Sequence, residues 1–114
     1  MTRVVPIFRV NTNDLPWVDY QESADDDWRA QIRVKGVTYR NADVPPVQYV
    51  EYAAGYTDPV HSHETGEFFI VTEGSLWLDD VESGPGSVVF IPRDTEYAVR
   101  AGNKGVRYYR VVVG

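Results

Sequence analysis

Seven short runs of strand-forming residues, each closed by a turn signal, leave this chain little choice of fold class. They span residues 31–39, 47–53, 67–72, 75–78, 87–91, 97–100 and 107–113. Between them stand Gly36, Pro45-Pro46, Gly55, Thr65-Gly66, Asp79-Asp80, Gly84–Gly86, Pro92–Asp94 and Gly102–Gly105. No stretch shows the apolar spacing of an amphipathic helix. Short strands at this spacing predict an all-β barrel or sandwich. A length of 114 residues fits one domain with one modest core. Nothing resembles a linker, a repeat or a low-complexity tract, so residues 1–114 are expected to form one domain. Residues 1–30 are expected to pack on the barrel as an extension, with Asp14-Leu15-Pro16-Trp17 and the acidic run after it wrapping the outside.

Composition removes several functions. The chain has no cysteine, which excludes a disulfide framework, a zinc knuckle and a thiol nucleophile. That absence is compatible with a cytoplasmic protein. The N-terminal residues lack a long apolar signal core. No stretch approaches the ~20 apolar residues of a membrane span. The formal net charge is −6, much of it in Glu22-Ser23-Ala24-Asp25-Asp26-Asp27. A nucleic-acid partner is therefore not expected, because phosphate contacts need basic patches.

The chemistry is concentrated in "GYTDPVHSHETGEFFIVTEG", residues 55–74, which holds both histidines of the chain, His61 and His63. On a strand, residues two apart face the same way, so the two imidazoles would stand side by side. Glu64-Thr65-Gly66 can turn the chain and bring the Glu67 carboxylate back beside them. Two imidazoles and a carboxylate on one face match the triad that holds non-haem Fe(II), with coordination positions left open. Mn, Ni, Co and Zn accept the same donors. His-x-His alone is also what an exposed loop carries by chance, so the larger pattern matters.

That pattern is Gly55, five residues, His61-x-His63, three residues, Glu67, six residues, Gly74. It resembles the first motif of the cupin superfamily at every fixed position. Gly55 is expected to close one strand and Gly74 to open a tight turn before the next. A second cupin motif follows in part: Gly86, five residues and Pro92 match it, and "GSVVFIP" is similar to the family. The chain then departs, with Asp94 in place of the usual glycine, Tyr97 in place of the usual third ligand histidine and Ala101 in place of the usual asparagine. The two motifs cover residues 55–101. The resemblance implies a double-stranded β-helix, or jelly-roll barrel. It also implies one divalent transition metal, Fe(II) favoured, on His61, His63 and Glu67.

No other histidine or cysteine can replace the missing ligand. Tyr97 is then a fourth ligand, an acid or base whose pKa the cation lowers, or a wall of a site that has lost its metal. By alternation, if Glu67 faces the interior then Phe69 and Val71 do too, and Tyr97 shares a face with Val99. These residues would line a small, largely apolar substrate pocket. One of Tyr108 and Tyr109 should point inward, whereas Trp17, Trp28 and Trp77 read as core or lid.

Three functions follow as expectations. The first is an Fe(II)-dependent dioxygenase acting on a small phenolic or ketone substrate. This is similar to small single-domain cupins of the dihydroxyacetophenone dioxygenase kind, and "VNTNDLPWVDY" before the barrel resembles that group and the ChrR-type cupins. The second is a metal-dependent lyase or isomerase in which Tyr97 moves a proton. The third is a non-catalytic cupin that senses a small ligand. A homodimer is expected from the resemblance.

Overall fold

Alternating apolar residues put one face of the longer strands inward, and the strands join edge to edge in antiparallel order. The computed structural model describes residues 7–20, 31–39 and 44–114. Among these are eight strands: β1 (Val18–Asp19), β2 (Ile32–Thr38), β3 (Val47–Tyr52), β4 (Thr57–His61), β5 (Gly66–Leu78), β6 (Val81–Ser83), β7 (Val88–Ile91) and β8 (Tyr97–Val113). The strand order is β1-β2-β3-β8-β5-β6, with β4 added on β8 and β7 on β5. The all-β expectation holds. The described residues contain no helix long and apolar enough to cross a membrane.

Three of the expected turns are absent, the first because Gly36 lies inside β2 at a register shift against β3. Runs 67–72 and 75–78 are one 13-residue strand, β5, and runs 97–100 and 107–113 are one 17-residue strand, β8. These long strands pair with each other from Gly66↔Val113 to Leu78↔Val99, with register shifts at Val71/Glu73 and Gly74/Leu76. The glycines read as turn residues are bends inside the strands instead. Gly74 (φ 71°) and Gly105 (φ 78°) lie in the left-handed region, and a Cβ on Gly74 would overlap the Gly105 carbonyl oxygen. The sheet can fold over itself there because neither residue has a side chain. Gly55 (φ 73°) does turn the chain before β4, and Asp79-Asp80 forms the two-residue turn of the β5–β6 hairpin.

The core lies between the inner faces. Ile32, Val50, Tyr52, Tyr56, Phe69, Val71, Leu76, Tyr97, Val99 and Tyr108 are among its buried members. Glu67 is buried among them. Tyr108 is the inward member of the tyrosine pair. Tyr109 faces out, stacking on Tyr49 at 4.5 Å and hydrogen-bonding Thr12 Oγ1 at 2.7 Å.

The N-terminal segment lies on that outer face. A single 3₁₀ turn, Thr12–Asp14, is capped by the Asn11 side chain, which accepts from the Asn13 N–H at 2.9 Å. Lys35 is buried beneath it and donates to the Thr12 carbonyl at 2.8 Å. Trp17 stacks on Tyr49 at 5.4 Å, with Arg33, Lys35 and Arg107 at 5.0, 4.9 and 5.2 Å from its ring centre. Trp17 therefore belongs to the outer face, neither core nor lid. Trp77 is half-buried under Arg100 at 4.6 Å. Trp28, the acidic run 22–27 and the first six residues lie outside the described residues.

Candidate functional site

A cavity of about 390 Å³ opens between the two layers. Strands β3, β4, β5 and β8 supply most of its polar and aromatic groups, Gln48 and Tyr52, Asp58 and His61, Phe69, and Tyr97, Tyr108 and Arg110, and Tyr20, just after β1, adds another. His63, just beyond β4, also lines it. Phe69 is the one member of the expected pocket set Phe69, Val71 and Val99 that lines this cavity. Val71 and Val99 point inward but are packed in the core, 1 % and 3 % exposed.

The histidines reach the cavity by a route different from simple strand alternation. His61 ends β4, pairing with Tyr97 of β8, while His63 lies in the irregular segment that follows. That segment is braced from behind. The Asp94 N–H, in the β7–β8 turn, donates to the His63 carbonyl at 2.7 Å. Asp94 has φ 58°, the left-handed conformation that suits a glycine and that a short polar side chain tolerates. The two imidazoles meet edge to face with ring centres 5.0 Å apart, and His61 lies 4.6 Å from the Tyr97 ring.

The tautomer of His61 follows from its contact. Nδ1 lies 2.7 Å from the Pro59 carbonyl oxygen, which can only accept. Nδ1 therefore carries the hydrogen, and in the neutral ring Nε2 keeps its lone pair. On the other side of the site, His63 Nε2 lies 3.4 Å from Glu67 Oε1. Glu67 Oε2 accepts a hydrogen bond from Arg110 Nε. Oε1 is buried and has no hydrogen-bond partner. A buried carboxylate oxygen left in that state is costly unless something meets it.

These donors fit a divalent transition metal in kind: an imidazole nitrogen fixed by a backbone carbonyl, a second imidazole, and an unmet carboxylate oxygen. They are not drawn into a closed set. Among the described residues no group of three or more His, Asp or Glu side chains is gathered as a metal site. Arg110 holds the Glu67 carboxylate from one side, and His61 packs at a tilt against Tyr97.

The chain's own charges act on Tyr97 in the direction opposite to a cation. Burial pushes its phenol well above the usual value, and the Glu67 charge pushes it further. The protein alone thus keeps Tyr97 protonated, and among the described residues its hydroxyl has no hydrogen-bond partner. Tyr108 donates to the Tyr52 hydroxyl at 2.7 Å, and burial raises both phenols, Tyr52 to about 12. Burial lowers the Arg110 guanidinium, but its hydrogen bond to Glu67 and the Glu67 charge outweigh that and leave it raised.

Residues 48–113 match the family described as Cupin domain. The chain belongs to the cupin family. Solved cupin-like structures resemble it over nearly its whole length. The polyketide cyclase RemF of Streptomyces resistomycificus is 24 % identical with a TM-score of 0.74, over 94 % of this chain and 79 % of that one. An RmlC-like cupin from Ralstonia eutropha is 18 % identical with a TM-score of 0.80, over 96 % and 70 %. The anti-sigma factor ChrR of Rhodobacter sphaeroides, solved in complex with SigE, is 14 % identical with a TM-score of 0.69, over 90 % of this chain and 51 % of that one. At these identities the likeness is one of fold. No curated protein matches the chain.

Sequence reasoning missed several residues of this cupin's cavity, Gln48, Tyr52, Asp58 and Arg110 above all, and left open which of Tyr108 and Tyr109 faces inward. One signal was present. Once Tyr108 is taken as the inward tyrosine, the two-residue period of a strand carries Arg110 inward as well. Gln48 follows only from the register, because it pairs with Arg110 across β3 and β8.

Proposed function

We propose that this cupin is a metal-dependent enzyme that moves a proton on a small phenolic or ketone substrate bound in the 390 Å³ cavity. One observation carries the reading: Glu67 Oε1 is buried, lacks a hydrogen-bond partner and is turned toward the Nε2 of His63, which lines the cavity together with His61. His61, His63 and Glu67 are the residues that would hold the cation. A bound divalent cation would supply Lewis acidity, polarising a carbonyl so that the neighbouring C–H becomes acidic.

The chain's own groups favour the lyase or isomerase form over the dioxygenase that the donor set first suggests. Tyr97 is kept as a phenol by burial and by Glu67, which makes it a proton donor to a substrate oxygen. Asp58, whose Oδ1 accepts from the Tyr56 hydroxyl at 3.3 Å, is the carboxylate in the same cavity that can take a proton from carbon. Tyr52, Phe69, Tyr97 and Tyr108 make aromatic walls suited to a flat ligand. The likeness in fold to a polyketide cyclase is in keeping with a substrate carrying ketone groups.

The test begins with elemental analysis of the purified protein and of a His61→Ala/His63→Ala double variant. Metal near one equivalent, lost in the double variant, is the expected result. Aryl ketones in D₂O are then followed by NMR under anaerobic conditions. Deuterium entry at the carbon beside the carbonyl, abolished by chelator, supports proton transfer. Turnover that requires O₂ and consumes it in step with substrate overturns that form in favour of the dioxygenase. Absence of metal after reconstitution with Fe(II), Mn(II), Ni(II) and Zn(II), together with no exchange, sinks the enzyme and leaves a ligand-binding barrel.

A further inference from the structure

We infer that Arg110 is the specificity-determining residue of the cavity, and that it takes the carbonyl oxygen of a flat, largely apolar ligand. The inference rests on reading the cavity as a substrate site and does not depend on the metal.

A guanidinium offers five N–H donors in a planar fork. Arg110 commits Nε to Glu67 Oε2 and one hydrogen of Nη1 to Gln48 Oε1, at 3.2 Å. Its other N–H groups have no protein acceptor among the described residues. The side chain is 25 % exposed and lines the cavity, so those donors are open to whatever fills it. The fork is also fixed before a ligand arrives. Gln48 pairs with Arg110 on one side, across β3 and β8, and Phe69 pairs with it on the other, across β5 and β8. Glu67 stands two residues along β5 from Phe69 and shares its face. Partners on both flanking strands hold the guanidinium plane, so binding does not have to order a long side chain.

Charge decides what kind of oxygen it takes. The cavity lining carries one carboxylate, Asp58, and one guanidinium, Arg110, whose charge is already met by the buried Glu67 behind it. The formal balance is negative, which disfavours a ligand with a fixed anionic charge and favours a neutral acceptor. The walls beside Arg110, which include Tyr52, Phe69 and Tyr108, offer flat apolar surface for the rest of the ligand. A neutral carbonyl on an aromatic body satisfies both conditions.

The experiment is calorimetric titration of chelator-treated full-length protein with two probes of similar shape, 2-hydroxyacetophenone and 2-ethylphenol. Only the first carries the carbonyl. Wild type should bind the ketone about tenfold more tightly, the discrimination that one satisfied hydrogen bond gives. Arg110→Lys, which retains a cation for Glu67 but lacks the fork, should bring the two affinities to within about twofold. Arg110→Gln combined with Glu67→Gln, which leaves no unpaired buried charge, should do the same. In both variants 2-ethylphenol should bind as in wild type, since a general loss of structure would weaken both probes together. Equal affinities in wild type, or a ketone preference that survives in both variants, overturn the inference. Because metal is stripped throughout, the absence of a metal site would leave this result unchanged.

Discussion

Glu51 shows how much one side chain can do when the register favours it. It stands between Arg33 and Arg107, which pair with it directly on the neighbouring strands β2 and β8. Arg33 Nη2 lies 2.7 Å from its Oε1, and Arg107 Nε donates to its Oε2 at 2.8 Å. The Arg33 hydrogen bond, and then that of Arg107, hold the Glu51 carboxyl below its ordinary value of 4.5 despite the opposing effect of burial. A carboxyl depressed by folding stabilises above its unfolded pKa, and that contribution disappears as pH falls through the folded pKa. Urea unfolding should therefore show wild type losing stability below about pH 4.5, with Glu51→Gln losing less over the same interval and starting about 1 kcal/mol lower at pH 7. Glu67→Gln belongs to a drier setting. It removes the charge partner of Arg110, and we expect a loss of about 2–4 kcal/mol by urea unfolding, partly recovered when Arg110→Gln is added. Tyr97→Phe separates packing from chemistry. The ring stays in the core, so stability should change by less than about 1 kcal/mol. Ketone deuterium exchange should fall by about 100-fold or more. Of these residues, His61, His63, Glu67 and Tyr97 were legible in the sequence, because fixed spacings mark them. Arg110, Gln48 and the Arg33–Glu51–Arg107 row were not. Each owes its role to a partner on another strand, and cross-strand register is not written in local spacing.

At the scale of the element, the strands were legible where residues alternate and misread where glycine interrupts them. Gly74 and Gly102–Gly105 look like hairpin turns when only neighbours in sequence are considered. In the fold they let two long strands bend and cross with their backbones nearly touching. Position 74 is the sharper test. An alanine there needs a positive φ and drives its methyl into the Gly105 carbonyl, a backbone atom that cannot swing aside. Gly74→Ala should cost about 3 kcal/mol or more by thermal or urea unfolding. The same change at Gly84, where an added methyl would meet no heavy atom within 4 Å and φ is not positive, should cost less than about 1 kcal/mol. Strands β1, β4 and β6 have no run of their own in the sequence reading, where β4 entered only through the placement of His61 and His63 on a strand, and the reason is different. They are two, five and three residues long, and their burial patterns do not alternate. They are strands because a longer neighbour offers them an edge.

At the scale of the whole molecule, β5 and β8 form the spine on which the other strands are hung. Amide hydrogen exchange should be slowest in their paired middle segments, around Phe69–Val71 and Tyr108–Arg110, where each strand has a partner on both sides. It should be fastest in β1 and β6, which end the sheet. Equal protection throughout would mean that the layers open only together. The spine also constrains how such a protein can change over generations. β8 carries three residues of the cavity lining, Tyr97, Tyr108 and Arg110, on a single run of chain. Inserting or deleting one residue within the regular segment 106–113 would turn the side chains on one side of the change outward while leaving those on the other side in place. New substrate preferences on this scaffold must therefore arise by exchanging side chains at fixed positions, with length variation confined to the loops outside that segment.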